Sequence, residues 1–165
     1  MITDDEAGFD AFVRARASAL SRTAYLLTGD HHLAQDLVQA ALLQAARHWG
    51  RIHTSPEAYV RRAMYHQNIS WWRRRRFAES SLTAHDGAAP TTDSDLRLSL
   101  DQALAQLTRK QRTVLVLRYY EDLTETQTAA ALGISPGTVK STTRQALARL
   151  RALAPELAEL IGADA

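Results

Sequence analysis

Lys140 and Arg144 stand four residues apart, Arg149 and Arg151 follow, and no acid interrupts the stretch. On a helix that spacing places the first pair on one face. An ammonium and a guanidinium so placed can hold phosphate or reach the base edges of a duplex. A second set lies upstream. Arg61, Arg62 and the run Arg73-Arg74-Arg75-Arg76 are interleaved with Tyr59, Tyr65, His66, Asn68, Trp71 and Trp72. A basic track with surfaces on which bases stack suits a single strand. Capture of an extruded base must offset an unstacking cost on the order of a few kcal/mol.

Plainer readings stand beside these. Adjacent Trp71 and Trp72 point about 100° apart on a helix, so at least one belongs to a core. The arginine run can solvate a helix end or touch phosphate without specificity. The downstream basic helix can be half of an ordinary helical hairpin. Tyr119-Tyr120 is expected to pack the C-terminal core. Catalytic chemistry finds no footing. There is no cysteine, which removes thiol chemistry, disulfides and cysteine zinc sites. His31-His32 follows Asp30 without a spaced partner set for a metal. Asp30, Asp36 and Glu57 are not paired with a nucleophile. No enzyme, metal or cofactor is therefore expected.

The elements that must position the two basic sets are helices. Thr124 to Leu132 carries apolar Ala129, Ala130 and Leu132. Gly133 can take the positive φ that ends a helix. Ser135 is a good N-cap, and Pro136 sits in the first turn, where proline is tolerated. A basic helix to about Arg151 follows, so the pattern is that of a helix-turn-helix. Val139, Ala146, Leu147 and Leu150 fit its buried side. Ser135, Gly137, Thr138, Lys140, Ser141 and Arg144 lie toward its reading end. Gly137 lets the backbone approach phosphate, which the helix N-terminus itself attracts. Helices are also expected near 96–106 and 108–120, although Val114-Leu115-Val116-Leu117 could be a strand. Upstream, Phe9, Phe12, Val13, Leu20, Ala24 and Leu27 form an apolar stripe, interrupted by Arg16. Leu33, Leu37, Val38, Ala41, Leu42, Ala45 and Trp49 form a second. A third helix starts at Ser55-Pro56-Glu57 and runs to Arg76.

The chain has 165 residues, few glycines or prolines and almost no alternating pattern, so an all-α protein is expected. Net charge is only +2, but the charge is unevenly placed. Residues 109–151 hold eight basic side chains against Glu121, Asp122 and Glu125. Residues 79–96 carry acids and no lysine or arginine, and the tail after Pro155 does the same. Small, polar and turn-rich, residues 79–96 read as a flexible linker. The expected domains are 1–78 and 97–153, with an acidic tail at 154–165. No apolar run is long enough to span a membrane, and the acidic start Met1–Glu6 is unlike a signal peptide, so a cytoplasmic protein is expected.

Three stretches together resemble the extracytoplasmic-function (ECF) RNA polymerase sigma factors, and more narrowly their actinobacterial SigE-like group. Asp36-Leu37-Val38-Gln39 is similar to the family's polymerase-binding helix. Pro56 to Arg62, ending in Trp71 to Arg76, is similar to its promoter-melting helix. Leu132 to Ser141, then Ala146 to Arg151, is similar to its second DNA-binding domain. The family usually has Glu and an aromatic where this chain has Ala40 and Leu42. It usually has Asn at His66 and often Asp at Ser70, which bears on which melted bases are preferred.

The resemblance implies two small helical domains, sigma domain 2 and sigma domain 4. Domain 2 would grip the minus-ten strand with Tyr59, Arg61, Arg62, Tyr65, His66, Asn68, Trp71, Trp72, Arg73 and Arg74. The loop from His48 to Pro56, with Trp49, Arg51 and His53, would choose one extruded base. Domain 4 would read the minus-thirty-five duplex through Arg118 and the reading end named above. Asp36, Gln39 and Gln44 would face the polymerase. Implied partners are core RNA polymerase, through its clamp and flap, promoter DNA and an anti-sigma factor; a membrane is not among them. The acidic linker would lie in the RNA exit path. Two other classes stay open: a free-standing helix-turn-helix regulator binding duplex as a dimer, and a nucleic-acid enzyme. The first needs a dimerisation helix or effector pocket, the second clustered carboxylates, and neither is legible.

Overall fold

Thr3 and Glu6 write the first helix boundary. In the computed structural model, which describes residues 3–79 and 95–156, the Glu6 N–H donates to the Thr3 hydroxyl and the Thr3 N–H to the Glu6 carboxylate, at 3.3 and 3.0 Å. This reciprocal box satisfies donors a helix start leaves open. Asp4, Asp5 and Glu6 also place negative charge at the positive end of the helix dipole. The helix, α1 (Asp4–Thr28), ends at Gly29 with φ 70°. Only Gly29 and Asp30 separate it from α2 (His31–His48), and the Asp30 carboxylate accepts the Leu33 N–H at 2.9 Å. That bond holds the Asp30 carboxyl below its ordinary 3.8. Partial burial opposes it, while the His32 N–H and the His32 and His31 rings assist it. The His31 ring stacks on Tyr25 with centroids 4.5 Å apart.

The short link packs α2 back along α1. Leu20, Ala24, Leu27, Leu37, Ala41 and Ala45 of these helices, and Val60 and Met64 of α3 (Pro56–Glu79), are all essentially inaccessible to solvent. Burial of each large side chain contributes about 1.5–3 kcal/mol. Between α2 and α3 runs a single 3-10 turn, Trp49–Arg51. Ser55 then restarts the helix, its hydroxyl accepting the Ala58 N–H at 3.3 Å. This first compact unit spans Met1–Arg75.

The second unit, from Arg76 on, contains α4 (Asp95–Ala105), α5 (Arg109–Leu115), α6 (Glu125–Leu132) and α7 (Pro136–Leu153). Two more reciprocal boxes, Thr108 with Gln111 and Thr124 with Gln127, open α5 and α6. Ala103, Leu104, Leu107, Leu115, Ala146, Leu150 and Ala154 form one apolar cluster. The strand alternative at Val114–Leu117 does not occur. All four side chains are buried, so the run reflects a helix surrounded on every side. Beyond Leu115 the chain widens into a π turn, Val116–Tyr120, closed by the Glu121 N–H on the Val116 carbonyl at 2.9 Å. The extra residue shifts everything after Leu117 off a 3.6-residue period. Tyr119 and Tyr120 therefore stand 54% and 49% exposed, against the expectation that they pack the core.

The described residues are helical as expected. The linker expected at 79–96 and the acidic tail fall largely outside the described residues.

Candidate nucleic-acid interface

The downstream set is assembled by purely local signals. At the end of α6, Gly133 takes φ 68° and its N–H bonds to the Ala129 carbonyl, which the Ile134 N–H joins at 3.1 Å. One carbonyl near the helix end thus accepts two N–H groups across the left-handed turn. Two residues later the Ser135 hydroxyl accepts the Thr138 N–H at 3.1 Å and lies 2.8 Å from the Thr138 hydroxyl. Val139, Thr142, Ala146 and Leu150 turn inward. Gly137, Lys140, Ser141 and Arg144 are exposed. Ser141 bonds the Thr138 carbonyl at 3.1 Å, while Lys140 and Arg144 have no side-chain partner among the described residues. A Cβ on Gly137 would meet nothing closer than the Ser135 Oγ at 3.9 Å. The fold does not require glycine there. Arg118 lies elsewhere: its guanidinium donates to the Leu123 carbonyl and its Nε is buried without a partner, so it braces the loop before α6. It does not join the exposed stripe of α7.

The upstream set divides. Tyr59, Arg62, His66, Ser70 and Arg73 recur at helical spacing along one side of α3, and Arg62, His66, Arg73 and Arg74 are exposed. Arg51 and His53, exposed in the loop before it, make no side-chain hydrogen bond among the described residues. Tyr59 and Trp72 are half-buried. Four candidates are engaged inside the fold. Tyr65 and Asn68 are only 4% and 2% exposed, on the core side of α3. Arg61 donates from Nε and Nη2 to one Glu57 oxygen at 3.2 and 2.9 Å, and from Nη1 to the Thr23 hydroxyl at 2.8 Å. Trp49 is packed against Phe9 and Phe12, with ring centroids 5.2 and 5.4 Å away. These four are engaged within the fold, and Arg118 is engaged on a loop carbonyl, so the exposed residues expected at a nucleic acid are fewer than the sequence pattern offers.

Sequence reasoning passed over their partners. Arg16, which breaks the α1 stripe, pairs with Glu57 at 3.2 Å; a charged interruption in an apolar stripe was the available signal.

On α2, Asp36, Gln39 and Gln44 are exposed, and Leu43 beside them is 59% exposed. A large apolar side chain amid polar neighbours is the composition of a contact anchor. A groove lined by Leu33, Asp36, Trp71, Arg74 and Arg75 brings together residues assigned from sequence to two different surfaces. Among the described residues no three His, Cys, Asp or Glu side chains are grouped to hold a metal, and no helix is long and apolar enough to cross a membrane.

Comparison with known proteins finds two family matches: Sigma-70 region 2 over residues 12–78 and Sigma-70, region 4, over residues 97–150. The chain is 43% identical over 150 residues to the RNA polymerase sigma-E factor of Streptomyces coelicolor, covering 87% of this chain and 84% of that protein. It is 33% identical over 151 residues to the ECF RNA polymerase sigma factor SigL of Mycobacterium tuberculosis, covering 86% and 85%. Its fold is similar to that of the sigma factor RpoE from Bartonella quintana, solved in complex with the anti-sigma factor NepR. The TM-score is 0.68 at 24% identity, over 96% of this chain and 99% of that one.

Proposed function

Because the chain belongs to the ECF RNA polymerase sigma factors, we propose that its exposed basic stripes divide promoter reading between them. The protein is a transcription initiation factor that binds core RNA polymerase and directs it to promoter DNA. On this reading residues 1–78 are sigma domain 2 and residues 97–153 sigma domain 4, joined by the acidic segment. The α3 stripe of Tyr59, Arg62, His66, Arg73 and Arg74 holds the opened minus-ten strand. Arg51 and His53 in the preceding loop reach the edge of one extruded base. Gly137, Lys140, Ser141 and Arg144 of α7 read the minus-thirty-five duplex. Asp36, Gln39, Leu43 and Gln44 dock α2 on the polymerase clamp. The factor works where the polymerase does, in the cytoplasm, and supplies recognition rather than a catalytic group.

The observation that carries the division is the exposure of Lys140 and Arg144, without a side-chain partner among the described residues, on the helix that Ser135 caps. Among the described residues no acidic side chain occupies them, so they are available to a polyanion. A free-standing regulator would use the same helix, but the family match extends over the α2 and α3 surfaces as well.

The test is co-purification with core polymerase followed by run-off transcription. Asp36→Arg should weaken core binding in competition with another sigma factor while leaving the fold intact, because a charge reversed at an interface rim acts on encounter. The pure protein should bind promoter duplex only weakly. Nanomolar promoter-specific binding without polymerase would instead establish an independent regulator.

A further inference from the structure

The loop between Trp49 and Ser55 is fastened to α1 at both ends. At its start, the Trp49 ring sits edge-on to Phe9, at 80°, and tilted at 47° to Phe12. The approach is close. A Cβ on Gly8 would lie 3.4 Å from the Trp49 Nε1, and one on Gly50 only 3.0 Å from an Asp5 carboxylate oxygen. At its far end, Glu57 is held between Arg16 and Arg61, and Arg61 is tied on to Thr23. Between the two fastenings the loop has little of its own. The Ile52 N–H closes a turn on the Trp49 carbonyl at 3.1 Å, while Arg51, His53 and Thr54 have no side-chain partner among the described residues. The shape of the exposed segment is thus set by its anchors.

We propose that the first half of α1 is a specificity element of promoter melting: the Phe9–Phe12–Trp49 clasp and the Arg16–Glu57–Arg61 clasp are positioning groups that fix the loop in the shape that selects one base. The proposal rests on the reading that this loop chooses a base. The physical ground is preorganisation. Hydrogen bonds to a base edge discriminate only when donor and acceptor are already in place, and a loop free to adjust satisfies several bases almost equally. Two clasps of different chemistry, one apolar and one ionic, hold the two ends independently. None of the clasp side chains needs to touch DNA. That accounts for aromatic and basic residues turned inward next to a nucleic-acid surface.

The experiment uses the reconstituted holoenzyme and measures open-complex formation on promoters varied base by base across the minus-ten element. The variants are Trp49→Leu, Trp49→Phe and Glu57→Gln. Trp49→Leu and Glu57→Gln should each reduce discrimination at a single base position by about 2- to 30-fold, the range typical of residues that act through others. Ratios at other positions and affinity for core polymerase should hold. Trp49→Phe, which keeps the aromatic contact, should restore discrimination. Equal loss on every promoter, or unchanged ratios in both variants, would overturn the proposal. A parallel exchange of residues 50–55 for those of another sigma factor separates the two levels. If the exchange shifts one base and the clasp variants do not, only the clasps' role fails. If the exchange shifts none, the base-choosing loop itself fails, and the proposal with it.

Discussion

Helices α3 and α7 are both basic, yet they use their charge differently. On α7, Lys140 and Arg144 are exposed and have no side-chain partner among the described residues, and the apolar side is left to Val139, Ala146 and Leu150. On α3 the adjacent residues Arg61 and Arg62 take opposite roles. Arg61 has a side chain 18% exposed and is committed to Glu57 and Thr23, while Arg62 is exposed. Counting basic residues therefore measures the positive charge open to a partner well on α7 and overstates it on α3. A guanidinium with five donors can knit a fold as readily as it binds phosphate.

The sharpest test of the α7 side of this contrast is the double substitution Lys140→Ala with Arg144→Ala. Each side chain that reads a base edge should cost about 1–3 kcal/mol of upstream-element binding. Thermal stability should move by no more than about 0.5 kcal/mol, since both side chains are exposed and neither has a partner among the described residues. Competition binding to duplexes of varied sequence and salt checks this. A loss uniform across sequences, with a flatter salt dependence, would demote both residues to phosphate contacts.

Next in size is the pair on α3. Arg61→Ala should lower stability by about 1–3 kcal/mol, because it removes charged hydrogen bonds and leaves Thr23 and Glu57 to rearrange. Arg62→Ala should change stability by less than about 0.5 kcal/mol and weaken binding to a forked minus-ten probe in the holoenzyme. Denaturant melts and fork binding, measured together, would break the comparison if the two variants behaved alike.

How far the chain could be read without coordinates follows from the range of each signal. The turn between α6 and α7 was legible to the residue, because Gly133, Ser135 and Pro136 act on backbone within four residues of themselves. The inward turn of Arg61 was not, since its partner Thr23 lies 38 positions away. Trp49 fitted both an apolar stripe and a base-choosing loop, and only the position of Phe9 and Phe12 decides between them. Tyr119 and Tyr120 were misplaced because a π turn leaves no local mark in residue type. Asp36, Gln39 and Gln44 were legible as an outer face from periodicity alone, whereas Leu43 broke the pattern and was passed over.

A smaller effect separates the helix caps. Asp30 caps α2 with a carboxylate and Ser135 caps α7 with a hydroxyl; removing either with Ala should cost about 1 kcal/mol near neutral pH. The folded state holds the Asp30 carboxyl below 3.8, so its charged form favours folding. Its contribution is complete above that value and is lost as pH falls through the lower folded one. The gap between wild type and Asp30→Ala should therefore shrink in acid, and that for Ser135→Ala should not. Melts at stepped pH read both.

Smallest, and opposite in sign, is Gly137→Ala. The site has room for a methyl group, and alanine favours a helix over glycine by up to about 1 kcal/mol. The variant should be as stable as wild type or slightly more so, and should bind the upstream element less well. Unimpaired binding would show that the DNA backbone does not approach this turn.

The three reciprocal boxes, Thr3 with Glu6, Thr108 with Gln111 and Thr124 with Gln127, have a bearing on time. Each is closed by groups three positions apart, so each can begin to form while the rest of the chain is still being synthesised. Such a contact only biases an isolated helix, but it fixes where the helix will start. The link from Arg61 to Thr23 must wait until a long stretch has emerged. In a growing chain the helix starts are therefore specified early, and the loop before α3 takes its final shape only once its second anchor has been made.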